Sequence, residues 1–277
     1  MNPVNKALWY IESHFAREIS LEEISTIGGV SRYHMSRAFG SAMGQPIKQY
    51  VRGRRLTEAA RSLANGAPDI LTVALDVGYG SHEAFTRAFR DQFGVTPEMI
   101  RAQGNLDNIE LVEPIKIDET LNANLEPPRF VNGKVLLIAG AGARYDCQSS
   151  AGIPAQWQRF LPHFGSIPGQ IGRVAYGVIC NSDDEGNFDY ICGAEVPDFS
   201  ALPAEFSHVR IPEQRYAVFS HREHISAIRR TMNTIWSKWL PESGHEVVDA
   251  PLFERYAEDF DSTTGKGGVE VWIPIKS

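Results

Sequence analysis

One helix is written twice in this chain. SRYHMSRAFGSAMG at 31–44 and SHEAFTRAFRDQFG at 81–94 coincide at an offset of fifty residues in Ser31/Ser81, Arg37/Arg87, Ala38/Ala88, Phe39/Phe89 and Gly44/Gly94. In the second copy Phe85, Ala88, Phe89 and Phe93 recur at helical spacing, so one side is buried and the other shows Thr86, Arg87 and Arg90. Leu21/Leu71, Ile27/Val77 and Gly28/Gly78 carry the match back into LEEISTIGG and ILTVALDVGYG. Ser20 with Glu23 is a capping-box signature, Gly28 and Gly29 break the helix that follows, and Ser31 caps the next. Each copy therefore reads as helix, glycine-containing turn, helix.

Between the copies runs PIKQYVRGRRLTEAARSLANG. Pro46 suits a helix start and Asn65-Gly66 a stop, while Ile47, Tyr50, Val51, Leu56, Ala59, Ala60 and Leu63 hold one face. About eighteen helical residues at ~1.5 Å each span roughly 27 Å, comparable to the ~34–36 Å between successive major-groove faces of duplex DNA. Both second helices fit on one side of such a duplex.

The net charge of −7 hides an asymmetry. Residues 1–104 hold 12 Lys and Arg against 10 Asp and Glu, and residues 105–277 hold 15 against 24, so the halves carry +2 and −9. The acidic half is not the one to meet a polyanion, and the first half must do so by placing a few arginines rather than by a bulk field. Cys147, Cys180 and Cys192 lie far apart, without the paired spacing of a zinc site or the density of a disulfide scaffold, and read as reduced thiols. No apolar run approaches the length of a membrane span, and the start lacks a signal-peptide layout, so a cytoplasmic protein with no membrane partner is expected.

From about residue 105 the texture changes. QGNLDNIELVEP reads as a hinge into a first strand. Apolar β-branched and aromatic runs follow: KVLLIAGAGARY, RVAYGVIC, FDYICGAEV, SHVRIP, QRYAVFSH, FERYAED and VEVWIPI. Two helical patterns, IPAQWQRFLPHF and HISAIRRTMNTIWSKWL, interrupt them. The expected fold is multidomain: an all-α double helix-turn-helix domain over 1–104, then an α+β domain over 105–277 with a mainly antiparallel sheet and two main helices, possessing a diverged internal duplication.

A repeated arginine beside a small hydroxyl, Ser36-Arg37 and Thr86-Arg87, suits base recognition, because the guanidinium fork matches guanine O6 and N7 and a hydroxyl takes a phosphate or base edge. Residues 5–103 resemble the DNA-binding domain of the AraC/XylS transcriptional regulators, above all in VGYGSHEAFTRAFRDQFGVTPEMIR at 77–101. The resemblance implies groove-facing Arg32, Tyr33, Ser36 and Arg37 in the first unit and His82, Glu83, Thr86, Arg87 and Arg90 in the second. Glu83 departs from the uncharged residues of the family; a carboxylate accepts from cytosine N4 and repels phosphate. On the connecting helix Arg52 is a candidate phosphate contact, while other arginines there pair with acids such as Glu58. Double-stranded DNA is the implied partner, with RNA polymerase as a further one.

The second half resembles the gyrase-inhibitor-like, multidrug-effector-binding domain, through IPEQRYAVFSH, TMNTIWSKWLPESG, PLFERYAE and EVWIPI in that order. A DNA reader first and this domain second is similar to the right-origin-binding branch of the family. Strand alternation in PLFERYAE puts Leu252, Glu254 and Tyr256 on one face, and a buried carboxylate there favours a cationic or hydrogen-bonding ligand. The resemblance assigns effector binding to the position of Glu254, with Tyr256, Trp157, Tyr190, Tyr216 and Trp236 as candidate pocket walls for a small apolar or cationic molecule.

Catalytic readings are weaker. HREH at 221–224 lacks zinc-hydrolase spacing, no G-x-S-x-G elbow is present, and AGAGARY lacks a dinucleotide setting, so neither an enzyme nor a cofactor is expected. The alternative is a small-molecule hydrolase or sequestering protein that uses Glu254 and is merely localised by its helical domain. A third reading, a protein-binding module without a pocket, needs an exposed Glu254.

Overall fold

The computed structural model describes residues 2–114, 123–146 and 149–276. Two compact units emerge, residues 1–35 with 46–117 and residues 36–45 with 118–277. Cys147 lies outside the described residues; Cys180 and Cys192 are buried free thiols. No helix among the described residues is long and apolar enough to cross a membrane.

The helical part follows its cap residues closely. α1 (Pro3–His14) starts where the Asn2 side chain accepts from Val4 N–H, and α2 (Leu21–Gly28) carries the full Ser20/Glu23 capping box. α3 (Arg32–Met43) and α6 (His82–Phe93) begin and end at the fifty-residue offset. Ser31 Oγ accepts from His34 N–H and Ser81 Oγ from Ala84 N–H, both at 3.1 Å, so the repeated serines do the same work. Gly44 and Gly94 close the two helices in the left-handed region, φ 67° and 73°. The match is looser before them. The left-handed residue after α2 is Gly29, whereas after α5 (Ile70–Asp76) it is Gly78.

α4 (Ile47–Ala64) buries its expected apolar face. Leu56, Ala59, Ala60 and Leu63 join Ile70, Val73, Phe85, Phe89 and Ile100 in one core, closed by α7 (Pro97–Gln103). QGNLDNIELVEP itself holds no strand. Leu106, Ile109 and Leu111 pack on that same core, Val112 N–H donates to Thr57 Oγ1 at 2.9 Å, and a Cβ on Gly53 would meet Val112 at 2.8 Å. Three apolar side chains that complete a helical core outweigh the β-propensity of ELV.

The second unit holds one antiparallel sheet of eight strands in the order β1-β6-β8-β7-β3-β4-β2-β5. These are β1 (Arg129–Gly133), β2 (Leu136–Tyr145), β3 (Ala175–Cys180), β4 (Phe188–Glu195), β5 (Ser207–Ile211), β6 (Gln214–His221), β7 (Leu252–Tyr256) and β8 (Val269–Ile275). β1 was not among the expected runs. α8 (Ile153–Phe160) follows β2; α9 (Ile228–Thr234) follows β6 and continues through a π-helical turn, Ile235–Trp239, into α10 (Leu240–Ser243). The order is a palindrome: β2-α8-β3-β4 and β6-α9-β7-β8 are two copies of strand, helix, hairpin, joined where β3 pairs with β7, with β5 and β1 as outer edges. The expected duplication is thus visible as topology.

Register fixes which side chains share a face. Across the central pairs Gly177 opposes both Glu254 and Cys192, and Glu254 opposes Val271. One face therefore carries Gly177, Cys192, Glu254 and Val271, with Tyr190 and Tyr256 two residues along their strands. The other carries Ile138, Tyr176, Val178, Ile191, Tyr216, Val218 and Phe253, which form a single apolar cluster flanked by Trp272.

Candidate functional site

On α6 the burial pattern leaves Glu83, Arg87 and Arg90 exposed while Phe85, Ala88 and Phe89 are buried. Neither arginine has an ion-pair partner among the described residues. Glu83 lies in the first turn, and hydrogen bonds from its own backbone N–H and from Ser81 hold its carboxyl below the usual range, so it is ionised beside them. His82 Nε2 sits 3.3 Å from Glu98 Oε1. Thr86 departs from the expected outward position: it is half-buried, and its Oγ1 is shielded from solvent without a hydrogen-bond partner. In the first copy Arg32 is exposed, 3.8 Å from Glu22, while Tyr33, Ser36 and Arg37 are half-buried.

The connecting helix spends its arginines internally. Arg52 reaches Asp91 at 3.3 Å and the Ala88 carbonyl at 3.5 Å, bracing α4 against α6 rather than standing free for phosphate. Arg54 is buried and binds Glu12 through Nε and an Nη, both at 2.9 Å, and donates to the Val112 carbonyl at 2.8 Å. Arg55 donates to the Phe15 carbonyl, and Arg61 joins Glu58 and Glu113, each at 2.6 Å. Glu58 thus serves as the acid partner expected of it, and α6 presents the unpaired cations.

The second site is built around Glu254, which is 7% exposed and lies on β7 at the centre of the sheet. Tyr190 and Tyr256 both donate to its Oε2, at 2.7 and 2.8 Å. Oε1 receives no hydrogen bond among the described residues. Burial raises the Glu254 carboxyl above its usual value and the two phenols oppose that rise. The same burial pushes both tyrosines well above theirs, so they remain donors. α8 covers the group: Trp157 Nε1 donates to the Tyr190 hydroxyl at 3.0 Å, and its ring meets Tyr256 edge-on with centroids 4.8 Å apart. Gln156 pins α8 to the sheet through the Ala141 and Tyr190 carbonyls at 2.8 and 3.0 Å.

Four of the six expected pocket residues, Glu254, Tyr256, Tyr190 and Trp157, thus come together. Tyr216 does not. It opposes Pro274 on β8 whereas Glu254 opposes Val271, an odd offset along the same strand that puts the two on opposite faces. Its ring packs instead against Phe253 and Trp272, at 5.3 and 5.5 Å. Trp236 is buried in the π-helical turn after α9 and is not one of the hydrogen-bond donors to Glu254. The residue that sequence reasoning missed is Gly177. A Cβ there would stand 2.1 Å from the Tyr190 hydroxyl and 2.8 Å from Glu254 Oε2, so glycine alone leaves room for the hydrogen bond. An isolated glycine inside VAYGVIC is the available signal of such close approach. Among the described residues no cluster of His, Cys, Asp or Glu is arranged to hold a metal.

Residues 126–276 match the model of the GyrI-like small molecule binding domain, and residues 24–103 match a helix-turn-helix domain. The chain belongs to the GyrI-like small-molecule-binding family. With the AraC-type helix-turn-helix domain ahead of it, it is a DNA-binding transcriptional regulator. It is similar over 99% of its length to Transcriptional regulator Rob of Salmonella typhimurium, 24% identical and covering 98% of that protein. It is equally similar to the Right origin-binding protein of Escherichia coli, 24% identical over 99% of this chain and 98% of the relative. Multiple antibiotic resistance protein MarA of Escherichia coli is 30% identical over 40% of this chain and 88% of its own length.

Proposed function

We propose a cytoplasmic, one-component regulator in which the helical domain reads a short duplex site and the domain over residues 126–276 senses a small apolar cation at Glu254. RNA polymerase is the further partner of such a regulator. The observation that carries the ligand reading is the buried carboxyl whose Oε2 accepts two hydrogen bonds. In an apolar site its charge is unfavourable, and a ligand cation stabilises the ionised form while rings of Trp157, Tyr190 and Tyr256 contact its apolar body. Because Glu254 lies beneath Trp157, a ligand reaching Oε1 displaces that side chain, so binding is coupled to the position of α8. Only a ligand that favours one arrangement of the protein over another alters DNA binding.

The reading of DNA rests on Arg87 and Arg90, exposed and unpaired on α6, with Arg37 the matching position of α3. Ionised Glu83 beside them accepts from cytosine N4 and disfavours a backbone approach at its own position.

The test of the ligand site is calorimetric titration of the full chain with tetraphenylphosphonium at neutral pH, using wild type and Glu254→Gln. Binding in the wild type, weakened at least tenfold in the variant, is the expected result. Equal affinity for both proteins would remove Glu254 from the site.

A further inference from the structure

The Glu254 carboxyl is bonded on one side only. Its Oε2 accepts from both phenols, Tyr190 at 2.7 Å and Tyr256 at 2.8 Å, while Oε1 accepts nothing from the described residues. A carboxylate oxygen has room for two donors, so Oε2 is filled and Oε1 is not. Nor is Oε1 sealed off. Glu254 keeps 7% of its surface, and Oε1 is not among the solvent-shielded side-chain atoms that lack a partner, so water reaches this oxygen.

The neighbouring donors are already engaged. The Trp157 indole N–H goes to the Tyr190 hydroxyl at 3.0 Å, and Gln156 Nε2 donates to the carbonyls of Ala141 and Tyr190 at 2.8 and 3.0 Å. Gly177, directly across from Glu254, brings no side chain, and the Cys192 thiol across from Gly177 is a weak donor. Positive charge is missing as well. Burial and the two phenols are what shift the Glu254 carboxyl, with no cationic side chain among these influences. A ligand that stabilises the ionised carboxyl therefore meets two needs, a charge and a donor at Oε1.

Those needs separate cations of equal charge. An N–H group approaches Oε1 to about 2.8 Å and donates to it. In a quaternary ammonium or a phosphonium the carbon substituents stop at roughly 3.3–3.6 Å and hold the charged atom farther out, where the Coulomb attraction is weaker. Such a ligand also displaces the water at Oε1 without replacing its hydrogen bond, which lowers affinity.

We infer that the Glu254 site selects a cation that carries N–H, a protonated apolar amine or amidine, over a permanently quaternary one. The N–H donates to Oε1 while Tyr190 and Tyr256 hold Oε2. The inference rests on the reading of Glu254 as the counter-charge of the ligand and adds the donor to it. Tetraphenylphosphonium then binds through charge and burial alone, as the weaker kind of ligand.

Diphenylpropyl-dimethylammonium, protonated at neutral pH, and diphenylpropyl-trimethylammonium differ by one methyl in place of the N–H. Each is titrated calorimetrically at neutral pH into the full chain, wild type and Glu254→Gln. A hydrogen bond to a charged group favours the dimethyl compound about fortyfold and burial of the extra methyl favours the trimethyl compound about fourfold, so the dimethyl compound should bind wild type about tenfold tighter. Apolar burial alone gives the opposite order. In Glu254→Gln the phenols keep the amide oxygen and the NH2 faces the ligand, so both affinities fall and the preference vanishes. A trimethyl compound that binds wild type as tightly as the dimethyl one, with both weakened in Glu254→Gln, overturns the inference and leaves the cation site standing. A preference that persists in Glu254→Gln likewise takes the donor away from Oε1. Binding that is absent, or equal in wild type and variant for both compounds, overturns the cation site and the inference with it.

Discussion

Gly177→Ala is the smallest change that tests how the Glu254 site is built. In most strands replacing glycine by alanine stabilises, by roughly 0.5–1 kcal/mol, because the unfolded chain loses freedom. Here the added methyl would stand 2.1 Å from the Tyr190 hydroxyl and 2.8 Å from Glu254 Oε2, so one of them must move. Tyr190 is also held by Trp157 and is 1% exposed, which leaves it little room. Breaking the bond to a buried carboxyl costs about 1–3 kcal/mol, and crowding a packed core costs a similar ~1–3 kcal/mol. The sum, about 2–6 kcal/mol, outweighs that gain and reverses the ordinary sign of the substitution. Urea unfolding of wild type and variant, with tetraphenylphosphonium binding measured alongside, reads both consequences. Gly177→Ala should lower stability by that amount and weaken the ligand. A variant as stable as wild type, with ligand affinity intact, would refute the claim that this glycine makes the room.

Two further predictions follow from charge placement. Arg54→Ala strips Glu12 of its hydrogen bonds from the guanidinium and leaves it facing Tyr50; breaking a buried pair costs about 3–5 kcal/mol, and since Glu12 and Glu58 are partly open to water we expect ~2–3 kcal/mol from urea unfolding of the helical part. For Glu254, the folded state holds the carboxyl above its unfolded value, so the folded protein binds the extra proton. Its contribution to stability is therefore fullest below the usual carboxylate range and falls as pH rises from there through the raised value. Stability curves of wild type should show this loss, Glu254→Gln should not, and identical slopes would contradict the burial of an ionisable group.

How far the sequence reveals the structure depends on the range of the signal. The helical half is legible because its determinants are local: Ser20 with Glu23, Ser31, Ser81 and the glycines at 44 and 94 each act within one turn. Alternation within β7 is equally local and correctly joins Glu254 to Tyr256. Tyr216 falls on the other face for a non-local reason. Whether Tyr216 shares a face with Glu254 turns on the register of β6 on β8 and of β8 on β7, and one step of register flips the answer. Thr86 and Arg52 carry side-chain detail, a shielded hydroxyl and a partner on α6, that helix periodicity does not contain. QGNLDNIELVEP reads as a hinge rather than as part of the helical core because its apolar residues fit either the approach to a sheet or the groove along α4.

Sequence discrimination by α6 tests the account most directly. Binding of the full chain to its own promoter region is compared with binding to unrelated duplex at one fixed salt concentration, for wild type and Arg87→Ala. A preference of at least ~10³, with the variant losing about 1–3 kcal/mol of it, is the predicted result. Equal, weak binding of wild type to both duplexes, or a preference that survives Arg87→Ala undiminished, would contradict the assignment of α6 as the reading helix.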